Sequence, residues 1–94
     1  MIDVTQTNTP TNGKFEIFAD DVPAGELLYS WIDEQTFAIE HTEVFDGFNG
    51  KGYGKELLFA VAEYARDNGK KIVPVCSYAK NSFEINPNIA DVLK

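Results

Sequence analysis

Four glycines within eight residues, Gly47, Gly50, Gly52 and Gly54, separate two halves of the chain that follow different hydrophobic periods. Before this loop the apolar residues alternate. Lys14–Ala19 places Phe15, Ile17 and Ala19 on one face, and Gly25–Ile32 is dense in aromatic and branched residues. Thr36–Phe45 reads as a third strand, with Phe37, Ile39, His41, Glu43 and Phe45 on one face and Ala38, Glu40, Thr42 and Val44 on the other. Asp20-Asp21-Val22-Pro23 and Asp33-Glu34-Gln35 are short polar links of the kind that join antiparallel neighbours. After the loop the period becomes helical. Leu58, Val61, Ala62 and Ala65 form a stripe, with Leu57 beside it, in a helix from Tyr53 or Gly54 to Asn68 that Asn68-Gly69 stops. Lys71–Cys76 reads as a short buried strand whose Pro74 places it at an edge or marks where its pairing ends. Ser77 is expected to cap a short helix reaching about Ile85, which Asn86-Pro87 ends, and residues 88–94 make one more turn. Residues 1–13 have no period and read as a loose N-terminal arm, with a few strand residues at Ile2–Val4.

The order is therefore β-β-β-α-β-α, an α+β domain with a mostly antiparallel sheet, in which the strands flanking the long helix run parallel. Ninety-four residues make one small domain, 1–94. With 44% apolar residues and seven Phe, four Tyr and one Trp, it has the material for a core. No apolar run approaches the roughly 20 residues of a membrane helix, and the N-terminus has no signal-peptide pattern. One cysteine excludes an internal disulfide, and one cysteine with one histidine argues against a structural zinc site, so no metal is expected. These features fit a cytoplasmic protein. The net charge of −7 is uneven: residues 1–50 carry ten acids and one base, and residues 51–94 five acids and seven bases. Such a balance disfavours nucleic acid. The acidic half suits a cationic partner, or simply keeps a small domain soluble.

The loop Phe48-Asn49-Gly50-Lys51-Gly52-Tyr53-Gly54-Lys55 leads into a helix N-terminus, where free amides and the helix dipole favour an anion and Lys51 and Lys55 add positive charge. A phosphate or pyrophosphate is the natural ligand. The Walker pattern fails because Tyr53-Gly54 follows the glycine pair, and the dinucleotide pattern fails because Lys55 stands at its third glycine. Asn49-Gly50-Lys51-Gly52-Tyr53-Gly54 followed by Lys55-Glu56-Leu57-Leu58 resembles the acetyl-coenzyme A loop of the GNAT acetyltransferase superfamily. His41-Thr42-Glu43-Val44, Pro74-Val75-Cys76-Ser77-Tyr78-Ala79-Lys80, Phe83-Glu84-Ile85-Asn86-Pro87 and Asp91-Val92-Leu93 extend the likeness to its very short, single-domain members over about residues 14–93. The resemblance implies the three-layer GNAT-like fold, with coenzyme A in a cleft between splayed parallel strands, 36–45 and 71–76. The pantetheine arm would pair with the backbone at about His41–Phe45, so Val44 and Phe45 join Asn49, Gly50, Lys51, Gly52, Tyr53, Gly54 and Lys55 as cofactor-binding residues. One departure is Asn49, where the superfamily loop usually has Arg or Gln.

Acetyl transfer to an amine needs a base, a donor to the developing oxyanion and a leaving thiolate. The resemblance implies backbone N–H groups near 43–45 as the donor. Cys76 can accept an acetyl group or form a mixed disulfide with coenzyme A, or it is a small buried apolar residue. His41 can be a general base or a satisfied core residue, and it neighbours Cys76 if the two strands are adjacent. Glu43 can act as base directly or through water, or is a solvated carboxylate. Tyr78 can protonate the leaving thiolate, while Tyr53 is expected to pack. The reading is an acetyl-coenzyme A-dependent N-acyltransferase acting on an amine that the sequence does not identify, with a protein or peptide lysine, a polyamine, or no tight acceptor at all as the alternatives. Little chain precedes the first strand pair, so the acceptor side is expected to be open. The alternatives are a non-catalytic coenzyme A or acyl-coenzyme A-binding module, and a structural domain with a vestigial loop.

Overall fold

The computed structural model describes all 94 residues. Five strands form one sheet in the order β1-β2-β3-β4-β5. They are β1 (Ile2–Asn8), β2 (Asn12–Ala19), β3 (Val22–Trp31), β4 (Thr36–Val44) and β5 (Lys71–Pro74). The first four make an antiparallel meander, and β5 runs parallel to β4. Helix α1 (Tyr53–Asn68) crosses between β4 and β5, followed by helix α2 (Ser77–Ile85) and a 3-10 turn (Pro87–Val92). This is the α+β order expected from the sequence, with one strand added at the front. No helix is long and apolar enough to cross a membrane.

The added strand corrects the reading of residues 1–13 as a loose arm. β1 pairs with β2 along its whole length, from Ile2 opposite Ala19 to Asn8 opposite Gly13. Thr9 closes the hairpin, its N–H donating to Asn12 O at 2.7 Å. The strand escapes a search for hydrophobic alternation because the apolar inward residues Ile2 and Val4 give way to polar Gln6 and Asn8. Gln6 Nε2 donates to Tyr29 Oη at 2.9 Å, Tyr29 Oη donates to Asn8 Oδ1 at 2.8 Å, and Trp31 Nε1 donates to the same oxygen at 2.9 Å. Gln6 and Asn8 thus satisfy the hydroxyl of the buried Tyr29, and Asn8 also accepts from the more exposed indole of Trp31.

A β-bulge in β4 has the largest consequence for function. Leu28 stands opposite His41, but the next β3 residue, Tyr29, stands opposite Ile39, so Glu40 has no partner. One extra residue reverses the alternation beyond it. Tyr29 and Leu27 both face the core, and their partners are Ile39 and Thr42. Thr42 therefore shares the face of Phe37 and Ile39, and His41 and Glu43 turn to the other side. The uninterrupted face expected for Thr36–Phe45 holds only as far as Ile39.

The core is one cluster. Phe15, Ile17, Leu27, Tyr29, Phe37 and Ile39 from the sheet meet Leu57, Leu58, Val61, Ala62 and Ala65 from α1. Ala79 and Phe83 of α2 and Ile89 and Val92 of the turn complete it. Phe37 is its aromatic centre, with ring centroids 4.7 Å from Tyr29, 5.1 Å from Trp31 and 6.1 Å from Tyr64. Gly69 ends α1 in the left-handed conformation, φ 66°, as its place after Asn68 leads one to expect. Arg66 fastens the C-terminal turn to α1 with two bonds to Asp91, 2.9 and 2.7 Å, and holds that carboxyl below the usual carboxylate range.

Candidate functional site

β4 and β5 are paired only from Thr36 and Lys71 to Ile39 and Pro74. The strand at 71–76 expected from sequence stops there because Val75 and Cys76 both donate their N–H to a single acceptor, Ile39 O, at 2.9 and 3.2 Å. β4 continues alone to Val44. Phe45 N–H donates to Ala24 O at 2.8 Å, on the β3 side. Alternation then turns the backbone N–H groups of Val44 and Thr42 into the gap between the separating strands. Of the two backbone positions expected to meet a cofactor, Val44 faces the gap and the Phe45 N–H is spent on β3. The bulge is responsible, since it reverses the main-chain groups together with the side chains.

The glycine loop closes one end of this gap. Gly50 and Gly52 both have φ 80°, a conformation that side-chain-bearing residues resist. Gly52 is the N-cap of α1 and offers no side-chain cap. The first helical bond inside α1 is Glu56 N–H to Gly52 O at 3.1 Å, so the N–H groups of Tyr53, Gly54 and Lys55 have no acceptor in the chain. They form an oriented amide cradle for an anion, flanked by the exposed Lys51 and Lys55. Lys55 Nζ sits 5.4 Å from the Phe59 ring centre, and Tyr53 packs against Phe48 with ring centroids 6.1 Å apart. Asn49 is exposed and its side chain makes no hydrogen bond in the chain.

Cys76, rather than Ser77, caps α2. Its half-buried sulfur accepts the Ala79 N–H at 3.4 Å and lies 3.7 Å from Thr42 Oγ1. The thiol is therefore held on the helix-side face of β4 at the start of the strand separation. Tyr78 follows on α2 and lays its hydroxyl against Gly54, so closely that a Cβ at Gly54 would overlap it. The third glycine of the loop thus makes room for Tyr78. Gly54→Ala is expected to cost about 1–3 kcal/mol through this overlap. In a Tyr78→Ala background the same change should turn neutral or stabilising, because alanine is the better helix former by about 1 kcal/mol. Thermal unfolding of the four proteins in this cycle reads the coupling.

His41 and Glu43 lie across β4 from the thiol. His41 Nε2 is 3.2 Å from Glu43 Oε1 and 4.0 Å from Glu26 Oε2, with His41 and Glu43 exposed and Glu26 half-buried. The expected neighbourhood of His41 and Cys76 is not formed, since the bulge gives the place beside Cys76 to Thr42. His41 is also not a core histidine on an apolar face. Glu26 escaped the sequence reading. The signal that could have found it is hairpin register: Glu26 stands directly opposite Glu43, a like-charge pair that needs a cation or a proton nearby. The ligand atoms of Glu26, His41 and Glu43 lie within 4.8 Å of one another, which makes this the one group of side chains with metal-ligand chemistry.

The family model described as GCN5-related N-acetyl-transferase matches residues 14–92. The chain belongs to the GCN5-related N-acetyltransferase family. Among solved structures, a GCN5-like protein from Staphylococcus aureus has 35% identity and a TM-score of 0.76, over 98% of this chain and 87% of that one. A GNAT family acetyltransferase from Elizabethkingia anophelis with acetyl-CoA bound shares the fold at a TM-score of 0.70 and 15% identity, over 93% of this chain and 73% of the other. Protein NATD1 of Xenopus tropicalis is 33% identical over 61 residues, 65% of this chain, and human NATD1 30% identical over the same length. The chain spans little more than half of either NATD1 protein, 56% and 54%. Membership of the acetyltransferase family agrees with the splayed β4–β5 pair and the glycine loop opening α1.

Proposed function

We propose that residues 1–94 act as one minimal cytoplasmic domain that binds acetyl-coenzyme A and transfers its acetyl group to an amine. The observation that carries this reading is the unpaired edge of β4 at Thr42–Val44, set beside the uncommitted amides of Tyr53, Gly54 and Lys55. The amides suit a pyrophosphate, the open edge suits an amide-bearing arm, and the acetyl-CoA complex of the Elizabethkingia relative adds support from the fold.

The bulge divides the chemistry between the two faces of β4. Val44 N–H donates to the thioester oxygen as negative charge gathers there. Glu43 or His41, on the outer face, takes a proton from the incoming ammonium and frees the nitrogen lone pair for attack. Carbon–nitrogen bond formation and loss of the carbon–sulfur bond would leave a thiolate for Tyr78 to protonate, and the second proton of the attacking nitrogen would pass to the resulting phenolate. Cys76 lies on the helix side, close enough to Thr42 to serve instead as a transient acetyl acceptor. Glu26 and Glu43 give the outer face a negative charge that favours a cationic acceptor such as a lysine side chain or a polyamine.

Calorimetric titration of the reduced protein with acetyl-coenzyme A tests the cofactor, and micromolar binding is expected. Transfer to amines is then followed by thiol release. A protein carrying both His41→Ala and Glu43→Gln is expected to keep the affinity within about threefold and to lose turnover by at least about 100-fold, and Cys76→Ala is expected to do the same if the thiol carries the acetyl group. Asn49, exposed where the superfamily loop usually has Arg or Gln, favours a second reading, a coenzyme A-binding module without catalysis. That reading is supported if every protein binds and none releases thiol with any amine.

A further inference from the structure

The two edges of the sheet are finished differently. β5 is four residues long and contains Lys71 and Pro74. Its outer side is covered by the end of the chain, with Leu93 bridged in parallel to Ile72 and Lys94 N–H donating to Ile72 O at 3.0 Å. Short length, proline, lysine and a covering segment are the devices that stop an edge from pairing with another chain. β1, at the opposite edge, has none of them. It runs for seven residues, Ile-Asp-Val-Thr-Gln-Thr-Asn, with an unbroken ladder to β2 and no strand on its other side.

The direction of its backbone groups is fixed by two bonds. Met1 O accepts from Asp20 N–H at 2.9 Å, and Thr9 N–H donates to Asn12 O at 2.7 Å. Odd-numbered residues therefore turn their main-chain groups toward β2, and Ile2, Val4, Gln6 and Asn8 turn theirs outward.

We propose that β1 is a dimerisation edge, on which a second copy of this chain pairs antiparallel about a dyad at Thr5. In that register Ile2 meets Asn8 of the second copy and Val4 meets Gln6, so every outward-pointing residue of both strands enters a hydrogen-bonded pair. Such pairing supplies about eight main-chain bonds and joins the two sheets into one. Shifting the register in either direction leaves outward residues beyond the end of the partner strand. The side chains agree. Thr5 meets Thr5, a favourable cross-strand pair, and Asp3 meets Thr7 rather than another acid. The two Asp3 carboxylates stand roughly 13 Å apart along the strands, beyond the screening length of about 8 Å at physiological salt. Ile2, 45% exposed in the single chain, gains cover from the second copy.

The test uses the full chain at concentrations from about 10 to about 500 μM, followed by light scattering and amide hydrogen exchange. The mass is expected to rise from 10.5 kDa toward twice that value. The Val4, Gln6 and Asn8 amides should slow by at least about tenfold between the lowest and highest concentration, while inward Asp3 and Thr7 amides stay protected throughout. Val4→Pro removes one outward N–H and leaves the bonds to β2 intact, as proline is tolerated at an edge. Thr5→Lys, on an exposed side chain, sets two lysines face to face at the dyad. Each change should weaken dimerisation at least about tenfold, with Asp3 and Thr7 still protected. A wild-type protein that stays at 10.5 kDa overturns the proposal, including the case in which β1 takes a strand from a different protein. So does a dimer whose outward amides exchange unchanged, or one that either variant leaves intact.

Discussion

Gly52→Glu is expected to weaken acetyl-coenzyme A binding by on the order of 100-fold or more, because it places a carboxylate among the amides meant for a pyrophosphate. Gly52 is the N-cap of α1 at φ 80°, and a Cβ built there meets nothing within 4 Å. The change therefore costs backbone strain of about 1–2 kcal/mol without a collision, and the protein should remain folded. Gly69→Glu is the matched control. It has the same left-handed strain, φ 66°, and the same open surroundings, but it lies at the far end of α1. It should lower the melting temperature by a similar amount and leave binding unchanged. Calorimetric titration of the three proteins separates strain from charge. Equal affinity for wild type and Gly52→Glu would remove the loop from any phosphate site.

Phe37→Ala has the largest expected effect on stability, about 3–5 kcal/mol. Phe37 is fully buried, and three aromatic rings contact it from β3 and α1. For a domain of this length the whole folding free energy is about 5–14 kcal/mol. The variant should therefore unfold at much lower urea concentration, with a substantial unfolded fraction if the parent lies at the low end. Trp31 is 5.1 Å from the Phe37 ring, so its fluorescence reports the transition directly. A midpoint within experimental scatter of the parent would mean that the core collapses around the vacancy.

The sequence and the structure agree on most elements that one local signal decides, although Cys76 takes the cap of α2 expected of Ser77 and β5 ends at Pro74. The apolar stripe of α1 and its Asn68-Gly69 stop mark the helix to the residue, and the turn signals place β2, β3 and β4 within a few positions. Two features needed long-range information. β1 carries polar inward residues whose purpose is visible only once Tyr29 and Trp31 are seen to need Gln6 and Asn8. The bulge at Glu40 leaves no local trace, because Ala38-Ile39-Glu40-His41-Thr42, two apolar residues followed by three polar ones, contains no glycine or other local bulge signal. It is set by register with β3, a property of two segments together. For the candidate site the consequence was specific. The glycine loop, Cys76 and Tyr78 could be located from the chain alone. The side of the strand that carries His41 could not, and neither could the presence of Glu26 beside it.

The unpaired Glu40 amounts to a phase slip in an otherwise regular lattice. Residues before it answer to the packing of α1, and residues after it answer to whatever approaches the opposite side. Odd and even exchange meanings at that point. Any attempt to graft chemistry onto this strand must therefore count positions from Glu40 and not from Thr36. Pairing Glu40 into a regular ladder would swap the exposed imidazole and carboxylate for Thr42 and Val44 in a single step, whereas deleting it would take out the slip and leave His41 opposite Leu28 and Thr42 opposite Leu27.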